Sequence, residues 1–131
     1  MKLLDSKKKE SYPDWYWKYG IYDATIIKRE YYDYLPDGIF RHHGKTYRNC
    51  LRIELDSSGA MYENDIIAIE FYNYKELNAE IFIEGFWWHE DYLEFLNDRY
   101  ILHVQLMSNT ENNIVRYDVR FSCCKVLRSL K

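Results

Sequence analysis

The chain reads as a mainly β (α+β) protein: an antiparallel sheet curled into a sandwich or open barrel of about six or seven strands, with one short helix against it. Two observations predict this. Short runs rich in β-branched and aromatic residues recur along the chain, several of them alternating apolar with polar. Polar, turn-forming clusters separate the runs, with no internal repeat and no βαβ spacing. The aromatic content is 18%, with 14 Tyr and 4 Trp, residue types that suit a pleated, half-buried surface.

At 131 residues the chain is about one domain, long enough to bury a core without disulfides or a metal. Residues 1–12 are polar and lysine-rich and read as a flexible N-terminus; 13–131 read as the single β-rich domain. Trp15, Tyr16, Trp17 and Tyr19 follow Pro13-Asp14, and this aromatic segment should dock on the body.

Strand expectations follow in order. Residues 21–34 are β-branched and aromatic and end at the turn sequence Leu35-Pro36-Asp37-Gly38. Residues 39–47 read as a loop. Residues 50–56 alternate, with Leu51, Ile53 and Leu55 on one face. Residues 66–74 place Ile67, Ile69 and Phe71 inward, and 79–84 form a shorter strand. Residues 88–97 are the helix candidate, because Trp88, Tyr92, Phe95 and Leu96 share a helical face. Residues 99–107 and 114–127 pair as a hairpin across Asn109 to Asn113. Tyr100, Leu102, Val104 and Leu106 from the first strand, and Val115, Tyr117, Val119, Phe121 and Cys123 from the second, face the core, while Arg116, Asp118 and Arg120 face water.

The charge distribution is uneven. Residues 54–98 hold twelve acidic residues and one basic one, a net of −11, while residues 1–53 and 99–131 each carry +4. One consequence is solvated strand faces neutralised by basic neighbours in space. The other is an acidic surface for a basic protein partner, which would speed association and select partners. Aromatic residues share the acidic stretch, and carboxylates around aromatics suit an interface rim and core. The predicted partner-binding residues are Glu70, Tyr72, Tyr74, Glu80, Glu84, Trp87, Trp88, Glu90 and Asp91. Phosphates would be repelled by this surface, so nucleic acid is not the expected partner. Monomer or weak homodimer is the expected state.

Candidate chemistry is sparse. The four His show no HExxH and no ligand spacing with Cys, so neither a metal nor a cofactor is expected. No GxSxG, P-loop or GxGxxG occurs. His103 or His42 is the polar group that a pocket inside the curled sheet would use, were the protein a small-ligand module or small enzyme. A third reading is a homo-oligomeric accessory domain that buries exposed tryptophans against a copy of itself. Cys50, Cys123 and Cys124 are expected as reduced thiols of a cytoplasmic protein, because the adjacent pair points to opposite faces. No apolar segment approaches membrane length.

The segment Ile21-Tyr22-Asp23-Ala24-Thr25-Ile26 and the closing pair of strands, Tyr100 to Met107 and Arg116 to Val126, resemble small cytosolic immunity proteins of bacterial toxin–immunity systems, including those of contact-dependent growth inhibition. The resemblance implies a non-catalytic antitoxin that covers the active site of one cognate toxin, commonly a basic nuclease.

Overall fold

The computed structural model describes residues 2–3, 13–17, 20–33, 40–42, 44–47, 49–78, 81–108 and 113–129. They form eleven strands and no helix: β1 (Lys2–Leu3), β2 (Thr25–Asp33), β3 (Phe40–His42), β4 (Lys45–Tyr47), β5 (Asn49–Asp56), β6 (Ile66–Tyr72), β7 (Lys75–Glu76), β8 (Trp87–Leu96), β9 (Arg99–Met107), β10 (Ile114–Phe121) and β11 (Cys123–Arg128). Nine belong to one sheet, in the order β11-β6-β5-β2-β8-β9-β10-β7 with β1 added to β8; β3 and β4 form a separate hairpin. Every pairing is antiparallel.

The sheet has two limbs. One is β11-β6-β5-β2 and the other is β8-β9-β10-β7, and among the described residues β2 joins β8 through the register pair Thr25 with Trp87. The inner faces of the limbs meet: Phe71 of β6 and Phe121 of β10 lie 4.8 Å apart. The sheet is not closed. The chain instead crosses between limbs at two corners. β6 runs into β7 through Asn73, whose φ is +54°, and β10 runs into β11 through Ser122. Asn73 Nδ2 donates to Ser122 Oγ at 2.7 Å, and Ser122 N donates to Tyr72 O at 3.0 Å, so the corners hold each other.

Three bulges, which bend and twist a strand, help curl the sheet. Between Ile26 and Lys28 the bulge expels Ile27, which is 55% exposed, and a second expels His89 from the ladder between Trp88 and Glu90. A third sits opposite the Leu127/Arg128 step and expels Ile67, so Ile66 rather than Ile67 joins Ile69 and Phe71 in the core. Strict alternation placed Ile67 inward; one extra residue reverses the parity.

The expected helix at 88–97 is strand β8. Its inward residues after the bulge are Asp91, Leu93 and Phe95, and its outward ones Glu90, Tyr92 and Glu94, as the partners on β9 show. The chain then turns through Asn97 and Asp98, with φ of +52° and +61°. Two consecutive positive φ values make the hairpin turn whose twist matches paired strands. That turn and the ladder to β9 prevail over a four-residue apolar match to helical spacing.

The region expected as a loop at 39–47 contains the β3–β4 hairpin, with Gly44 at φ +76° in its turn. Ile81 to Glu84 are not a strand, and Ala79 and Glu80 lie outside the described residues. Lys2 and Leu3 of the expected flexible terminus pair with β8. Leu51, Ile53, Leu55, Leu102, Val104, Leu106, Tyr117, Val119 and Phe121 are buried as expected. Cys124, not Cys123, enters the main core, because the corner at Ser122 resets alternation. The aromatic segment docks: Trp17 is 5% exposed, and Trp15 packs edge-on against Phe121 and Tyr100. No helix among the described residues is long and apolar enough to cross a membrane.

Candidate functional site

Strand register arranges the outer face of each limb in rows. On the first limb the rows are Lys28–Glu54–Ala68–Leu127, Glu30–Arg52–Glu70–Lys125 and Tyr32–Cys50–Tyr72–Cys123. The middle row alternates acid and base over four strands. Arg52 reaches Glu70 at 3.1 Å and Glu54 at 3.5 Å. The β3–β4 hairpin covers the last row, with the Tyr47 ring stacked on Tyr72 at 5.6 Å. Cys50 and Cys123 flank Tyr72 from the strands on either side of it, roughly 9.5 Å apart at two strand spacings. That is beyond disulfide reach, and all three cysteines are free. Burial pushes the Cys123 thiol up and the Cys124 thiol well up, so neither is a poised nucleophile.

On the second limb the rows are Trp87–Met107–Ile114, Glu90–Gln105–Arg116, Tyr92–His103–Asp118 and Glu94–Ile101–Arg120. His103 sits in the middle, with Nδ1 2.5 Å from Asp118 Oδ1 and Nε2 3.0 Å from Glu94 Oε2. Tyr92 stacks on its ring at 4.5 Å, and Arg116 bridges Asp118 at 3.1 Å and the Tyr92 hydroxyl at 3.0 Å. Asn78 closes the cluster by donating to Arg116 O at 2.6 Å. Asp118, expected to face water, is thus held inside a network. Both imidazole nitrogens are committed to carboxylates, so the arrangement rigidifies three strands rather than presenting a free base.

Between the limbs, Glu76 is the hub of a buried polar network. It accepts from Arg29 Nη1 at 3.0 Å, from Tyr31 Oη at 2.6 Å and from the Tyr117 hydroxyl. Arg29 also donates to Ile81 O at 3.0 Å and lies 5.7 Å from the Tyr117 ring centroid. Burial and the adjacent Glu76 carboxylate raise the Tyr117 and Tyr31 hydroxyls far above the phenol range. Sequence reading missed this network, since its members lie up to 88 positions apart.

The third constellation is Asp91. Its Oδ2 accepts from the indole N–H groups of Trp17 at 2.7 Å and Trp88 at 2.6 Å, and its Oδ1 from the Tyr16 hydroxyl. Burial pushes its carboxyl up to about 6, against these three donors. It anchors the N-terminal aromatic segment to β8.

The predicted partner-binding residues therefore scatter. Trp88 at 1% exposure, Tyr72 at 3% and Asp91 at 9% are core, not contact surface, because each lies under another element. Glu70 is paired on the first limb's outer face, whereas Trp87 and Glu90 lie on the second limb's outer face. Glu84 and Tyr74 neighbour Tyr31: Glu84 acts on its hydroxyl, and the Tyr74 ring is 6.0 Å away. Glu80 lies outside the described residues. Much of the acidic stretch is neutralised locally, with Glu54 and Glu70 on Arg52, Glu76 on Arg29, and Glu63 and Asp65 on Arg128. Glu84, Glu90 and Asp98 make no ion pair among the described residues.

The interior between the limbs is filled by Trp88, Phe71, Phe121 and their neighbours, and His103 is on the outside. A pocket of about 350 Å³ lined by Thr46, Tyr47, Asn49 and Asn73 opens beside the β3–β4 hairpin. Among the described residues no group of His, Cys, Asp and Glu is placed to hold a metal ion. Comparison with known proteins finds no significant similarity to any family model, curated protein or solved structure.

Proposed function

We propose that this chain is a non-catalytic immunity-type inhibitor that covers a basic partner protein, a nuclease-type toxin domain in the cytoplasm. The observation that carries this reading is a set of exposed apolar side chains, and a carboxylate with no ion pair among the described residues, on and beside β2 near where it parts from β8. Ile27, Tyr31, Leu77 and Phe82 are 55%, 45%, 47% and 67% exposed. Gly85 N donates to Ile26 O at 2.8 Å, and the Arg29 bond to Ile81 O and the Tyr31 bond to Glu76 hold Glu76 and Ile81 beside β2 as well. Glu84 sits among them without an ion pair among the described residues. Exposed aromatic and aliphatic groups beside a carboxylate suit a hot spot that takes a partner's Lys or Arg. The test is capture from the native lysate with tagged wild type and with a Phe82→Glu, Glu84→Lys variant, washed at low and high salt. Recovery of one basic protein by the wild type alone supports the reading; no basic protein, or equal recovery by both, removes it.

A small-ligand module is the second reading, and the pocket beside Tyr47 and Asn73 favours it. Thermal shifts with a library of small polar ligands, lost in Thr46→Trp, would support it.

A further inference from the structure

The outer face of the second limb has a symmetry in its chemistry. In each of two rows an acidic residue on β8 lies across β9 from a basic residue on β10: Glu90 and Arg116, both exposed, flank Gln105, and Glu94 and Arg120 flank Ile101 in a row where Glu94 is buried and bonded to His103. The row nearest the open end is apolar, with half-buried Trp87 and Met107 and Ile114 at 55% exposure. A two-fold axis running along β9 between two such faces sets β8 of one copy over β10 of the other. Glu90 then meets Arg116 of the second copy, and Arg116 meets its Glu90. Trp87 covers the second copy's Ile114, Met107 meets Met107, and the Tyr92 hydroxyl faces Asp118.

We infer that this face is a self-complementary dimer interface, and that its occupant is a second copy of this chain. A closed two-fold contact of this kind uses one patch twice. Packed sheets cross at about 30°, so the match is strongest in the central rows. Glu90 is exposed with no ion pair among the described residues, and is free to take the second copy's guanidinium. The His103 cluster holds Tyr92 and Arg116 in place before association, which lowers the ordering cost. Three strands at about 4.8 Å spacing and roughly eight residues at about 3.3 Å give a projected face on the order of 400 Å². Stable interfaces bury about 800 Å² per partner, so a face of about half that size makes a weak dimer.

Sedimentation equilibrium from about 5 to about 500 µM, a range suited to a weak dimer, tests the inference without any other partner. The wild type dimerises over that range. Glu90→Arg and Ile114→Arg, both at exposed positions, each weaken the dimer by tenfold or more, whereas Ile67→Arg, an exposed apolar site on the other limb, does not. An equimolar mixture of Glu90→Arg with Arg116→Glu chains restores association as a heterodimer, because each acid again meets a base. Monomer at the top of the concentration range, a dimer indifferent to Glu90→Arg and Ile114→Arg, or a mixture that fails to associate while both chains are folded by circular dichroism, overturns the inference.

Discussion

Replacing Asp91 with Asn isolates the energetics of a buried carboxylate. Asp91 accepts from two indoles and a tyrosine, and these side-chain donors include no cation. Its carboxyl rises from 3.8 to about 6. The folded chain therefore holds this proton more tightly than the unfolded chain. Stability from this group is fully present below about pH 4, falls between about pH 4 and 6, and is flat above. A rise of about two pH units, at about 1.4 kcal/mol for each, amounts to about 3 kcal/mol lost by pH 7. The amide introduced by Asp91→Asn can keep the geometry: its oxygen accepts from both indoles while its nitrogen donates to the Tyr16 hydroxyl. Asp91→Asn should match the wild type near pH 4 and gain on it by about 3 kcal/mol at about pH 7.5. Asp91→Ala should be destabilised at both pH values, since two buried indole N–H groups lose their acceptor at about 1–3 kcal/mol each. Urea unfolding followed by tryptophan fluorescence reads this directly, because Trp15, Trp17 and Trp88 all lie in the cluster. Parallel pH profiles for the wild type and Asp91→Asn would refute the reasoning.

Further predictions concern the rest of the core. Glu76→Ala leaves Arg29 buried without its carboxylate and should cost about 3–5 kcal/mol in chemical denaturation; a loss below about 1 kcal/mol would show that the network is not structural. Leu102→Ala, at 0% exposure, should cost about 2–5 kcal/mol, read by the same unfolding curves. A Cβ at Gly20 would lie 2.8 Å from the Trp17 carbonyl oxygen and 2.3 Å from the Glu63 side chain, so Gly20→Ala should lower stability by about 1–3 kcal/mol, seen as a drop in Tm. In native protein a thiol reagent should label Cys123 slowly and leave buried Cys50 and Cys124 untouched until urea is added; rapid labelling of Cys124 would contradict its place in the core.

Local pattern alone determined a good deal of this protein. Period-two alternation identified β5, β9 and β10 and their inward residues, because a half-buried strand must alternate wherever its ladder is regular. The aromatic segment at Trp15 to Trp17 was legible as a docked element, since that much apolar surface has to be covered. The reading went wrong where one residue changes the parity or the period. The bulge at Ile67 and the corner at Ser122 each shift inward residues by one, and nothing in the local composition marks either. The helix expectation at 88–97 rested on a chance helical spacing of four apolar residues and left the turn residues Asn97 and Asp98 out of account. Only the tertiary structure decided what the charges do. Arg29 meets Glu76, Arg128 meets Glu63 and Asp65, and His103 joins Glu94 to Asp118, because strand order brings distant residues into one row. The excess of acid over residues 54–98 is a property of the sequence. Which carboxylates remain unpaired is a property of register, and register is fixed by the whole sheet at once.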